Sequence, residues 1–160
     1  MTSQVLTTQE LSLTAWVRLL RAHAALKRSF NALLQAEHGL TVNDYEALLL
    51  LSRAEEGRLK RVELAERLQL TPSGVTRLLD GLEGVGYVAK AACDADARIT
   101  YAVLTAEGQS KLEEASCSHV RAVSALFSER FDADELRMLG ELLLRLPGAA
   151  DADPGACTAG

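Results

Sequence analysis

The sequence contains few residues that interrupt helices or cross-link a chain. Only 3 of the 160 residues are proline, and the first 146 contain just one of them, Pro72. Because proline breaks helix interiors, this scarcity predicts a mainly helical (mainly α, α+β) protein. The three cysteines, Cys93, Cys117 and Cys157, are odd in number and widely spaced. We therefore expect neither a disulfide framework nor a zinc site built from closely spaced pairs.

Long apolar runs are also missing. The longest, residues 47–51, is far shorter than the roughly 20 residues that a membrane-spanning helix needs. The first nine residues lack the basic flank and apolar stretch of a signal peptide. The three histidines have no metal-ligand spacing, and no glycine-rich loop lies between a strand and a helix. The sequence predicts a cytoplasmic protein with no membrane partner, cofactor, metal site or enzymatic activity.

Positive charge is in deficit, with 17 Lys and Arg against 22 Asp and Glu, a net charge of −5. Taken alone, this balance argues against DNA binding, which depends on clustered cations. However, residues 105–160 hold 10 acidic and 5 basic residues, which accounts for the whole net charge. The charge therefore leaves DNA binding open for the rest of the chain, with a modest electrostatic contribution.

A long first helix is predicted, capped by Thr7 or Thr8, running to about Glu37 and ending at Gly39. It carries two apolar stripes with helical spacing, Leu11, Ala15, Leu19, Ala22, Leu26, Phe30 and Leu33, and Leu13, Trp16, Leu20 and His23. A helix packed on one side needs one stripe. Two stripes indicate contact from two directions, either with a second copy of the chain or inside a monomeric bundle.

The middle of the chain has the order of a winged helix-turn-helix. A short helix over 62–68 precedes a turn at Gln69, and the Thr71-Pro72 pair begins a second helix. Two short strands, 87–90 and 99–104, then form a hairpin or wing. A helix over 105–127 and a last helix, capped by Asp132 and ending near residue 146, complete the chain.

The second helix of the motif carries a small, hydroxyl-rich face with an arginine. Such a face suits the DNA major groove, about 12 Å wide, and a helix start can seat a phosphate on its backbone N–H groups. We therefore predict that duplex DNA contacts the following residues of this region: Lys60, Arg61, Thr71, Pro72, Ser73, Gly74, Thr76 and Arg77.

These segments resemble the MarR (multiple antibiotic resistance regulator) family of winged helix-turn-helix transcriptional regulators. The resemblance rests on Glu-Leu-Ala-Glu-Arg-Leu at 63–68, Thr-Pro-Ser-Gly-Val-Thr-Arg-Leu-Leu-Asp at 71–80, Asp-Ala-Arg at 96–98 and Leu-Thr-Ala-Glu-Gly at 104–108. The interval of six residues from Arg98 to Leu104 matches the spacing found in wings of this family.

The resemblance implies a homodimer that binds a palindromic site as a transcriptional regulator, here predicted to be a repressor. Its domains would be a dimerisation helix (1–40), the DNA-binding winged helix-turn-helix (41–104), C-terminal dimerisation helices (105–146) and a disordered tail (147–160). It also assigns Arg98 to the minor groove, where negative potential is focused, with Asp96 holding its guanidinium. The alternative is an ordinary surface ion pair. Gln69 replaces a usual glycine, so the turn either takes a strained left-handed backbone or differs.

Members of this family typically release DNA when a small aromatic acid or phenol binds. The resemblance extends to the urate-sensing branch, which implies that Trp16 lines a ligand pocket and that Glu63 stands where this branch has aspartate. His23 is a further candidate for binding a carboxylate. The alternatives are core packing for Trp16 and a structural interface role for His23.

Two other functions remain open from the sequence. The first is a regulator that responds to thiol oxidation at Cys93, although the neighbouring Asp94 would raise the pKa of that thiol. The second is a winged-helix module that binds protein instead of DNA. Steeply salt-dependent affinity for duplex DNA would distinguish DNA binding from protein binding.

Overall fold

The computed structural model describes residues 7–92, 96 and 98–149. Within these residues the chain forms six α-helices and three strands: α1 (Thr8–His38), α2 (Val42–Arg53), β1 (Arg58–Lys60), α3 (Arg61–Arg67), α4 (Pro72–Gly84), β2 (Val88–Ala92), β3 (Thr100–Leu104), α5 (Ala106–Ser128) and α6 (Ala133–Leu143). The predictions for Cys93, for Cys157 and for residues 150–160 of the predicted disordered tail (147–160) lie outside the described residues.

The helix starts follow the predicted capping residues. The side chains of Thr7, Thr71 and Asp132 each accept a hydrogen bond from a backbone N–H in the first turn of the helix that follows, and Thr41 caps α2 in the same way. Gly39 ends α1 with a left-handed backbone, φ 69°, which glycine adopts without steric cost. The predicted caps and helix order are confirmed, although α6 ends at Leu143, before the predicted end near residue 146.

The sheet has three antiparallel strands in the order β1-β3-β2, whereas the sequence predicted two. The additional strand β1 pairs Leu59 with Ala102 of β3. The predicted wing is present, since β2 pairs with β3 from Val88 opposite Leu104 to Ala92 opposite Thr100. A strand of three residues after a helix has no alternating pattern long enough to be recognised, so β1 is identified only by its pairing.

Helices α2–α4 and the three strands form a unit that we call the winged lobe. Its core consists mainly of leucines, of which Leu48, Leu51, Leu64 and Leu79 are at most 1% exposed. Leu34 and Ala115, from α1 and α5, are fully buried in the same cluster. The winged lobe therefore has a closed apolar core within one chain.

Helices α1, α5 and α6, which we call the outer helices, bury much less. Leu34 is the one buried residue of α1, and α6 as described has none. The large apolar side chains that remain exposed on α1 and in the segment around α6 are Leu11, Leu13, Trp16, Val17, Leu19, Leu20, Phe131, Met138, Leu142, Leu144 and Leu146. Both helices therefore present apolar faces that this single chain leaves uncovered.

Two histidines of the outer helices lie in the region where α1, α5 and α2 meet. His119 of α5 packs against the rings of Phe30 and Tyr45, with centroids 5.3 and 4.8 Å away. Burial lowers the pKa of His119, because desolvation disfavours the charged imidazolium. Nearby, His38 Nε2 lies 2.6 Å from the Ser118 hydroxyl. We call the contacts around His119 the seam.

Two further findings bear on the sequence predictions. Cys117 of α5 is disulfide-bonded, whereas the sequence analysis expected no disulfide framework and did not single out this cysteine. None of the helices in the described part of the chain is long and apolar enough to cross a membrane.

Candidate nucleic-acid interface

Helices α3 and α4 form the predicted helix-turn-helix. The turn places Gln69 in the left-handed region, φ 53°, which costs a residue with a Cβ atom roughly 1 kcal/mol or more. The Leu70 N–H donates to the Ala65 carbonyl at 2.9 Å, which closes the turn. Of the two alternatives for Gln69, the strained left-handed backbone is therefore the one adopted.

Helix α4 separates a buried face from an exposed one. Its buried residues are Val75, Leu79 and Leu82. Ser73, Thr76 and Arg77 lie on the opposite, exposed side, as the spacing predicted. Because residues three and four apart are neighbours on a helix surface, the Ser73 hydroxyl shares one patch with both Thr76 and Arg77.

Gly74 does not share this exposure. It is half-buried, and a Cβ atom at this position would lie 3.1 Å from Thr71 Oγ1 and 3.6 Å from Leu70 Cβ. Its N–H donates to the Thr71 hydroxyl at 3.1 Å. The tight cap at Thr71 thus places Gly74 against the turn, and its contact with DNA stays a prediction.

Arg61 and Thr76 are brought together although they are 15 residues apart. The Arg61 Nη2 atom donates to Thr76 Oγ1 at 3.0 Å, and the Thr76 hydroxyl donates to the Pro72 carbonyl at 2.8 Å. The start of α3 is thereby linked to the exposed face of α4. The sequence placed both residues in one interface, but it could not predict their contact.

The basic side chains of the winged lobe differ in their partners. Lys60 Nζ lies 3.7 Å from a Glu63 carboxylate oxygen, and Arg58 pairs with Glu56 while lying over the Tyr101 ring. In the described part of the chain no carboxylate pairs with the side chains of Arg61, Arg67, Arg77 or Arg98. Of the predicted contacts, Arg61, Arg77 and Arg98 are thus the cations available to an anion, while Lys60 is partly neutralised.

Lys90 of β2 is a cation that the sequence analysis did not single out. Its Nζ atom lies 2.8 Å from Glu83 and 3.2 Å from Asp80, both on α4. The hydrogen bond to Glu83, followed by that to Asp80, raises the pKa of Lys90. This cluster fastens the wing to α4. The acidic pair at positions i and i+3 of α4 is the sequence signal that could have indicated a basic partner.

The wing holds the predicted Asp96 and Arg98 pair in a different way from the one expected. Asp96 Oδ1 accepts the backbone N–H of Arg98 at 3.0 Å, and the Ile99 N–H donates to the Asp96 carbonyl at 3.0 Å. Asp96 thus fixes the backbone of the turn, as aspartate commonly does. The expectation that it holds the guanidinium is corrected, and the exposed Arg98 side chain keeps its donors.

The base of the wing explains the motif Leu-Thr-Ala-Glu-Gly at 104–108. Thr105 caps α5 by accepting the Gly108 N–H at 3.0 Å, and its hydroxyl donates to the Gly86 carbonyl at 2.6 Å. A Cβ atom at Gly108 would overlap the Tyr87 carbonyl oxygen. Glycine is required here because α5 starts directly against the chain that enters β2.

The three predicted effector-binding residues are not in contact. Trp16 is 57% exposed and His23 is exposed, both on α1. Glu63 instead accepts the backbone N–H of Lys60 at 3.3 Å at the start of α3. Among the described residues no hydrogen bond, ion pair or ring contact joins these three, and no group of side chains there could hold a metal ion.

This chain is similar to known regulators of transcription. The sequence profile of the MarR family matches residues 38–99. The HTH-type transcriptional repressor YetL of Bacillus subtilis (strain 168) is 35% identical over 114 residues, 69% of this chain and 68% of YetL. The repressor MdtR of the same organism is 30% identical over 112 residues, 70% of this chain and 72% of MdtR.

The fold has a solved counterpart over nearly its whole length. The crystal structure of Sco3205, a MarR family transcriptional regulator from Streptomyces coelicolor in complex with DNA, aligns with a TM-score of 0.79 and 26% identity, covering 98% of this chain and 96% of Sco3205. These relatives are named as regulators of transcription, not as enzymes. The winged helix-turn-helix prediction is confirmed, and the chain belongs to the MarR family.

Proposed function

We propose that this chain is a DNA-binding transcriptional repressor that binds a palindromic operator as a homodimer. The observation that carries the proposal is the exposed face of α4, where Arg77 has no carboxylate partner among the described residues. In this proposal residues 41–104 bind DNA, while residues 1–40 and 105–146 form the dimerisation region.

The arrangement of donors supports contact with a duplex. Ser73 and Arg77 are exposed on the helix that the motif directs into the major groove, and Arg98 extends from the wing, where it could reach the minor groove. The relatives YetL and MdtR are named repressors, and Sco3205 is described in complex with DNA, which supports the same activity here.

The exposed apolar faces of the outer helices support a second copy of the chain as partner. Leu13, Trp16, Val17 and Leu20 have the spacing i, i+3, i+4 and i+7, and each is more than 40% exposed. This is one continuous stripe on α1. Apolar stripes that one chain leaves uncovered are typical of interfaces between subunits.

The DNA-binding proposal is tested with a duplex that the wild-type protein selects from a random pool, beside a scrambled duplex of equal composition. We expect affinity to fall linearly on a log–log plot against salt concentration. Arg77→Ala and Arg98→Ala should each weaken binding about tenfold and make the salt slope shallower by about one. Arg121→Ala, which removes an exposed cation on α5, is the matched control.

A salt-independent affinity would contradict phosphate contact altogether. Unchanged binding by both arginine variants would remove α4 and the wing from the interface. Selection of no duplex by the wild-type protein would favour the alternative of a protein-binding winged helix.

We further propose that a small aromatic or phenolic anion releases the DNA, with Trp16, His23 and Glu63 near its site. The exposed indole of Trp16 supports this, because it is available to a ligand or a second subunit. A hydroxybenzoate is the probe. Trp16→Ala should reduce release by the probe while leaving DNA affinity within about threefold of wild type, and unchanged release would exclude Trp16 from the site.

A further inference from the structure

The hydroxyl of Thr76 is fully committed as a hydrogen-bond donor. A threonine hydroxyl has one proton and two lone pairs. In the structure the proton is directed to the Pro72 carbonyl at 2.8 Å, and the oxygen accepts from Arg61 Nη2 at 3.0 Å. A phosphate oxygen or an acceptor on a base edge can be bound only by a hydrogen-bond donor. Thr76 can therefore meet an anion only through Arg61, unless it gives up the bond to Pro72.

Arg61 is placed where the protein itself does little to stabilise its charge. It is the first residue of α3, where the partial positive charge of a helix N-terminus disfavours a cation. The nearby Glu63 carboxylate pairs with the neighbouring Lys60 instead, at a distance of 3.7 Å. Among the residues that the structure describes, the Arg61 guanidinium contacts the neutral Thr76 hydroxyl, which leaves four of its five N–H donors without a protein partner there.

We propose that Arg61 contacts a DNA phosphate beside α4 and that Thr76 is the positioning residue that holds its guanidinium there. This inference rests on the proposed function and deepens it, since it replaces a direct contact from Thr76 with a coupled pair. The phosphate supplies the negative charge that the position lacks. Holding the guanidinium before binding reduces the conformational entropy lost in the complex.

The test is a double-mutant cycle on the duplex selected by the wild-type protein. We expect Arg61→Ala to weaken binding about tenfold and to reduce the salt slope by about one. Thr76→Val removes the hydroxyl but no charge, so it should weaken binding about threefold with an unchanged slope. In the Arg61→Ala background, Thr76→Val should add no further loss, because coupled residues are not additive. Thr76→Ser keeps the hydroxyl and should therefore bind with wild-type affinity.

Independent, multiplying losses from the two substitutions would show that Thr76 contacts DNA directly and would overturn the pairing. Wild-type affinity in Arg61→Ala would overturn the phosphate contact. Arg61→Lys keeps the charge without the planar fork and should retain the wild-type slope, which separates charge from a general folding defect. If the wild-type protein selects no duplex, the proposed function fails, whereas a selected duplex with additive losses rejects only this inference.

Discussion

The winged lobe and the outer helices are built from similar apolar residues but use them differently. In the winged lobe, leucines such as Leu48 and Leu51 are fully buried within one chain. On the outer helices, Trp16 is 57% and Met138 63% exposed. The difference indicates that the winged lobe is stabilised by a core within one chain, whereas the outer helices leave apolar faces that the proposed second chain would cover.

The largest expected effect is a loss of stability on substitution in the core of the winged lobe. Leu48→Ala should lower the free energy of unfolding by about 2–5 kcal/mol, because it removes a fully buried side chain and leaves a cavity. Val62→Ala, at a residue that is 68% exposed, should stay within about 0.5 kcal/mol of wild type. Urea denaturation measures both, and equal losses would contradict a closed core.

The next effect concerns the outer helices. Leu13→Glu combined with Leu20→Glu places two charges in the exposed stripe of α1 and should raise the dimer dissociation constant at least 100-fold, because buried unpaired charges are costly. Gln35→Glu, at an exposed polar position of the same helix, is the control. Sedimentation velocity reports the association state. A wild-type chain that sediments as a monomer at micromolar concentration would refute the dimer.

The seam should respond to pH. Burial lowers the pKa of His119 from its ordinary value of 6.5, so the unfolded chain takes up a proton more readily than the folded one. Stability is therefore lost as the pH falls through 6.5, and the loss levels off below the pKa of the folded state. His119→Phe removes this group, so the variant should gain stability relative to wild type from pH 7.5 to pH 5.5. A difference in unfolding free energy that stays constant over this pH range would argue against a lowered pKa for His119.

The smallest effect is expected from a cation of the winged lobe that already has partners. Lys90 is engaged by Glu83 and Asp80, so it does not depend on DNA for a counter-charge. Lys90→Met should leave the salt slope of DNA binding unchanged, while Arg77→Ala makes it shallower by about one. A loss of slope in Lys90→Met as large as that in Arg77→Ala would show that ion pairing does not determine which cations contact DNA.

Much of this fold could be predicted from local signals. Thr71 and Asp132 could be recognised as helix caps from the residues that follow them in the sequence. The interval from Arg98 to Leu104 predicted the wing. What depends on distant residues could not be predicted. The strand at Leu59 is defined by pairing with Ala102, and the Arg61 to Thr76 bond depends on how α3 crosses α4.

The same reasoning applies to the correction at Asp96. Its place two residues before Arg98 predicted that the two residues interact, and they do. However, the Asp96 carboxylate accepts the backbone N–H of Arg98 and does not hold its guanidinium. Sequence spacing indicates that two residues meet, whereas the choice between backbone and side-chain donors is settled by the local turn.

The most direct test of the account compares a selected palindromic duplex with the same duplex after one half-site is scrambled. If two winged lobes are coupled by the outer helices, the wild-type protein should lose at least 100-fold in affinity when one half-site is lost. The Leu13→Glu, Leu20→Glu variant should bind both duplexes weakly and within about threefold of each other. Equal wild-type affinity for both duplexes would contradict the proposal that a homodimer reads two half-sites.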